Sequence, residues 1–166
     1  MINPDEDGIT HINIYSKGKT ELGRKLSNFA HTPFSMDDYG EVASVEALWY
    51  YLRTGQNQPN LKSLYGYTAK KVGRSLMERY PDQIVEIDDN FKEAILEGIR
   101  CKLRQNKDIL TLLVRSDLPL EHYYYYGKGG NYKVYDLPEY KWMTEEIERI
   151  RQICKEHVRR KLEASL

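Results

Sequence analysis

The chain has 166 residues, enough for one domain with a sizeable core and too few for a second domain of ordinary size. Hydrophobic residues make up 40% and charged residues 30%, which excludes a disordered or fibrous chain. Lysine and arginine number 25, as do aspartate and glutamate, and the zero formal net charge argues against general attraction to phosphate backbones.

The opening MINPDEDG is acidic and carries no apolar targeting core. No run is long and apolar enough to span a bilayer, so no membrane association and a cytoplasmic location are expected. ITHINIY, residues 9–15, alternates and is β-branched, which predicts a strand. The polar, glycine-containing run 16–25 predicts a loop or a short helical turn. Thr32–Met36 and Glu41–Ala43 flank a DDYG turn and predict a short hairpin. Ser44 is placed to cap a helix from Val45, with Val45, Leu48, Trp49 and Leu52 on one face and Gly55 at its end.

Beyond a QNQPN loop, short helices are expected at about 60–65 and 68–79. A longer helix starts at Asp88 or Asp89, with Phe91, Ile95, Ile99 and Leu103 as its core stripe. ILTLLV forms another helix, ending near Ser116-Asp117. EHYYYYGKGGNYKVYD reads as a hairpin with Tyr123 and Tyr125 on one face and His122, Tyr124 and Tyr126 on the other. The last helix starts near Thr144, with Ile147, Ile150, Cys154, Val158 and Leu162 inward. Cys101 and Cys154 lie in helical patterns outside any CxxC pair, which suits small apolar side chains in a reducing compartment. The sum is an α+β fold: a single helix-rich domain spanning 1–166, with a small β-sheet from strands near both ends of the chain.

Three features could carry chemistry. Glu46 lies in the first turn of its helix, three and four residues before Trp49 and Tyr50. An acid beside aromatic rings is partly desolvated and suited to proton transfer near neutral pH, although the helix dipole alone also favours an acid there. Lys70 and Arg74 share a helix face beside Lys71, where a phosphate ligand would relieve their repulsion; a solvated basic face fits the same spacing. The tyrosine hairpin is the third, either a plain pair of strands or a pocket wall before a glycine turn. GKGGN lacks the P-loop pattern and no GxSxG elbow exists. His11, His31, His122 and His157 are isolated, so neither a metal nor an organic cofactor is expected.

The order of the segments resembles the NADAR/YbiA-like superfamily. INIYSKGKTELGRKLSNFAHTPF followed by SVEALWYYLRTG is similar to that family's strand, SNF segment and S-x-E helix opening. AKKVGR resembles its small-Lys…Gly-Arg helix, AILEGIRCKLRQNKDILTLLVRS its K-F-x-Q-N-x-x-L helix pair, and HYYYYG stands at its D-x-x-W-G segment. The likeness runs over roughly residues 9–153.

The resemblance implies an N-glycosidase acting on a base–ribose bond. Its substrate would be a riboflavin-pathway intermediate, an NAD-derived molecule or an ADP-ribosylated nucleobase, free or in nucleic acid. It implies Glu46 as the catalytic carboxylate, stabilising charge on the ribose or activating water, with Lys70 as a second catalytic candidate able to act as an amine nucleophile. It implies substrate binding by Asn28, Phe29, Trp49, Tyr50, Arg74, Tyr126 and Gly127, with His122 as a polar companion and Arg24 as an outlying phosphate ligand. The chain departs from the family where tyrosines replace the D-x-x-W-G acid, which keeps a non-catalytic ADP-ribose or NAD-type binding module open. Single-stranded nucleic-acid binding through the tyrosines and KEHVRRK, 155–161, is a third reading, opposed by the neutral charge.

Overall fold

A computed structural model describes all residues, Met1–Leu166. In chain order the elements are β1 (Ile12–Asn13), α1 (Glu21–Leu26), β2 (Phe34–Met36), β3 (Gly40–Val42), α2 (Val45–Arg53), α3 (Gly66–Arg79), α4 (Asp89–Gln105), α5 (Lys107–Arg115), β4 (Leu120–Glu121), β5 (Tyr123–Lys128), β6 (Asn131–Asp136) and α6 (Lys141–Ala164). Short 3-10 turns lie at Pro4–Glu6, Pro59–Ser63, Pro81–Gln83 and Pro138–Tyr140, each opening on a proline whose fixed φ suits the first helical position. The fold is α+β and rich in helix. Its strands form three two-stranded sheets: parallel β1–β4, antiparallel β2–β3 and antiparallel β5–β6.

The chain forms two compact units, Ser27–Lys107 and Met1–Leu26 with Asp108–Leu166. In the central unit, Ser44 caps α2: its Oγ accepts from Ala47 N at 3.0 Å and donates to Leu64 O at 2.9 Å. Asp88 caps α4 by accepting from Phe91 N at 2.8 Å. The expected stripe Phe91, Ile95, Ile99 and Leu103 is buried, and so are Gly98, Cys101 and Lys102 beside it. α2 is buried on more than its predicted face, with Ala47 and Tyr50 also inside. Two glycines explain this. A Cβ on Gly73 of α3 would lie 2.1 Å from Tyr50 Cγ, and one on Gly98 of α4 would lie 2.4 Å from Leu48 Cδ2. Both helices therefore press their backbones onto α2.

The terminal unit is built around a buried polar knot. Asp7 Oδ1 accepts from Asn13 N at 2.9 Å, and its Oδ2 accepts from Lys19 N at 2.8 Å. Asn13 Oδ1 accepts from Tyr123 N at 3.1 Å, and the Tyr123 hydroxyl meets His11 Nε2 at 2.5 Å. Burial drives the Tyr123 phenol far above its ordinary value, so this hydroxyl stays protonated. Gly23 of α1 lets that helix approach Asn13 O, where a Cβ would come within 2.2 Å.

Two expectations are corrected here. The strand predicted over 9–15 shrinks to Ile12–Asn13, because Ile9 and Thr10 both donate their amides to Glu6 O in a turn. The last helix starts at Lys141 rather than Thr144, and only part of its predicted stripe is covered. Ile147 is buried and Ile150 and Cys154 are half-buried, but Val158 and Leu162 are exposed. Within its unit α6 is held by β4 and the 116–118 segment, through Arg151 to Ser116 O and Leu118 O and through Lys155 to Asp117. The helix runs on past these contacts.

Gly73→Ala is expected to lower the unfolding free energy by about 1–3 kcal/mol, outweighing alanine's better helix propensity. Gly98→Ala should cost less, since Leu48 Cδ2 can swing aside whereas Tyr50 Cγ and Cβ are tied to the backbone. Urea denaturation of both variants checks the order.

Candidate functional site

The site is organised by three successive carbonyls. Ser27 O accepts from Lys102 Nζ of α4 at 3.1 Å. Asn28 O accepts from Glu46 N of α2 at 3.0 Å, and Phe29 O accepts from Gly66 N of α3 at 2.9 Å. Phe29 N returns to Ser27 Oγ at 3.2 Å, which tightens the turn. The SNF segment is thus tied to three helices at once, at the point where α2 and α3 begin.

The KLRQN run of α4 supplies most of the restraint. Lys102 is 2% exposed, and burial alone pushes its amine down to about 7. Gln105 brackets Ser35, donating to its carbonyl and accepting from its amide at 2.8 Å each. Asn106 Nδ2 donates to Pro33 O at 3.2 Å. The backbone from Ser27 to Ser35 is therefore held by helix amides and by side chains together, which gives an irregular segment's polar groups their partners.

Glu46 stands in this frame with its backbone fixed by Asn28. It keeps a partial opening to solvent, but its carboxyl is largely surrounded by protein. Burial pushes its pKa up to about 7, and Lys70 and Arg74 pull against that rise. Neither cation forms a direct ion pair with it; both act through space. Lys70 and Arg74 lie four residues apart on α3, the helix that Gly73 seats against α2. Lys70 Nζ also sits 5.9 Å from the centre of the Phe29 ring. A carboxyl poised near neutrality, two cations held short of contact and an aromatic ring can together bind an anionic group and move one proton beside it.

Trp49 and Tyr50 belong to the wall behind the site. Trp49 is buried edge-on against Phe91, with ring centres 4.9 Å apart, and Tyr50 is the surface on which Gly73 rests. Arg24, His122, Tyr126 and Gly127 lie in the terminal unit. Arg24 donates to Gly18 O and Lys19 O at 2.9 Å each and closes the loop before α1. His122 Nδ1 meets Ile14 O at 2.7 Å, and burial holds its pKa below the ordinary imidazole value. Tyr126 is 64% exposed on the hairpin. Gly127 has φ +114, and a Cβ there would strike Asn131 O at 1.9 Å, so only glycine fits.

Two features of the site escape sequence reasoning. Lys102 reads as a polar interruption of an apolar helix and turns out to be fully buried. His31 and Tyr65 stack with ring centres 4.2 Å apart at 11°, both exposed, beside the Phe29–Gly66 hydrogen bond. The one local signal for that pair is the Tyr65-Gly66-Tyr67 run at a helix start.

The chain matches no family model, no curated protein and no solved structure.

Glu46 carries a stability cost with a defined pH window. Its folded pKa is raised, so between about pH 4.5 and 7 the folded state keeps a proton that the unfolded chain has lost. Stability therefore falls as pH rises through that window, and the cost is complete above it. Glu46→Gln is expected to be more stable than the wild type at pH 8, on the order of 2 kcal/mol, and equal to it at pH 4. Thermal melts at the two pH values check the difference.

Proposed function

We propose that the chain is a divergent NADAR/YbiA-like N-glycosidase that hydrolyses the base–ribose bond of an ADP-ribose-linked or ribose-phosphate substrate. The observation that carries this reading is Glu46, a largely enclosed carboxyl with a pKa near 7, facing Lys70 and Arg74 across a gap. The order of SNF, S-x-E, Lys…Gly-Arg and K-x-x-Q-N segments supports it.

In the proposed step, Lys70 and Arg74 hold phosphate oxygens, which places the ribose beside Glu46. The C1′–N bond breaks with its electron pair leaving on the base, and positive charge develops on the ribose. The Glu46 carboxylate steadies that charge and takes the proton of the water that attacks C1′. The departing base takes a proton from solvent. The products are the free base and a ribose with a hydroxyl at C1′.

A second reading, a binding module for ADP-ribose or NAD-type nucleotides, is favoured by one observation: Tyr123–Tyr126 stand where the family carries its D-x-x-W-G acid.

Turnover of ADP-ribosylated DNA, NAD-related compounds and riboflavin precursors separates the two. The enzyme reading expects release of free base, with kcat/KM rising from pH 6 to pH 8 as Glu46 ionises. It expects at least a hundredfold loss in Glu46→Gln and mainly a raised KM in Arg74→Met. Absence of turnover, with calorimetric ADP-ribose binding that Lys70→Met abolishes, would select the module. Absence of both would overturn the assignment of this site.

A further inference from the structure

The tyrosine hairpin has two unlike faces. Tyr123 is buried in the polar knot, and Tyr125 turns the same way, 6.3 Å from the Tyr15 ring and 5.3 Å from that of Tyr132. The opposite face carries Tyr124, Tyr126 and Lys128 on β5, paired in register with Tyr135, Lys133 and Asn131 on β6. Tyr124 and Tyr135 stack across the strands with ring centres 5.1 Å apart at 16°. Tyr126 stands at 82° and 83° to them, 6.2 and 5.7 Å away, and remains 64% exposed. Lys133 Nζ lies 5.2 Å over Tyr135, and Lys128 is exposed at the turn.

No carboxylate shares this face. The cross-strand pairs are aromatic–aromatic, aromatic–lysine and lysine–asparagine, and Asp136 pairs with Tyr123 on the other side. The basic run of α6 is different. There Arg159 and Arg160 pair with Glu156 and Glu163, and Lys155 with Asp117. On this hairpin face, charge and aromatic surface thus coincide without internal neutralisation.

We propose that this face binds single-stranded nucleic acid, with bases stacking on Tyr126 and the Tyr124–Tyr135 pair and phosphates meeting Lys128 and Lys133. Unpaired bases offer flat rings that stack on tyrosine at any sequence, and the backbone between them supplies the anions that two unneutralised lysines lack. A duplex hides its ring faces and fits poorly. A second copy of the same face would set lysines against lysines. The proposal rests on the hairpin's own chemistry and is independent of the reading of Glu46.

The test is fluorescence anisotropy with a labelled twelve-nucleotide pyrimidine DNA and an RNA of the same sequence. Both are expected to bind alike, because rings and phosphates are common to them, and duplex DNA is expected to bind at least tenfold more weakly. Tyr126→Ala should weaken binding about 5- to 100-fold, and Tyr126→Phe should retain it. Lys128→Gln and Lys133→Gln should each reduce the slope of log affinity against log salt by about 0.7. Tyr126 and Lys128 are exposed, so these variants keep the fold. Failure of both oligonucleotides to bind, or unchanged affinity in Tyr126→Ala, would overturn the proposal. So would a salt-independent affinity, or a dimer that Tyr126→Ala dissolves.

Discussion

Three consecutive peptide carbonyls, those of Ser27, Asn28 and Phe29, each accept a hydrogen bond from a different helix. The arrangement of the central unit depends on this segment. It is irregular, so its polar groups need partners from elsewhere, and α4, α2 and α3 supply one each. Because each bond also fixes a helix end or a helix side chain, the segment acts as a spacer that sets where α2 and α3 begin. The two glycine approaches do the rest. Gly73 and Gly98 bring α3 and α4 against α2 at close range, and at Gly73 a Cβ would strike Tyr50 atoms that cannot move away. Glu46 inherits its position from all of these restraints and from none of its own side-chain bonds.

That inheritance shapes the electrostatics. A carboxyl in the first turn of a helix is ordinarily comfortable in its ionised form. Here the close approach of α3 encloses it, and the loss of water around the carboxyl outweighs the pull of Lys70 and Arg74. The same desolvation acts on Lys102 with the opposite sign, driving it toward the neutral amine. A buried acid and a buried base both sit near neutrality, in one small unit, without pairing with each other. Such groups cost stability, and proteins keep them chiefly where a site uses them.

Much of this was legible in the sequence, and the exceptions share a cause. Ser44 was readable as a cap, and the start of α4 at Asp88 or Asp89 was readable too, because a cap is local, decided by a side chain and an amide three residues on. The two antiparallel hairpins and the alternation of the tyrosines were readable because strand geometry has a period of two. The strand read near the N-terminus survives in part as β1, but its partner β4, Leu120–Glu121, lies just ahead of the predicted aromatic strand and was not read. What periodicity cannot reach is the partner. The burial of Lys102 depends on a carbonyl 75 residues away, and the His31–Tyr65 stack joins residues from separate segments. The over-burial of α2 follows from two distant glycines. The uncovered tail of α6 is the converse case: Val158 and Leu162 have helical spacing, but no neighbour in the unit extends that far.

Enclosure by α3, set by the carbonyl spacer and Gly73, holds the Glu46 carboxyl near neutrality against two cations. The most direct measurement is a carbon-13 NMR titration of the side-chain carboxyl, assigned by its loss in Glu46→Gln. The expected midpoint lies near 7 and moves higher when Lys70 or Arg74 is replaced by methionine. A midpoint in the ordinary glutamate range, unmoved by either replacement, would contradict it.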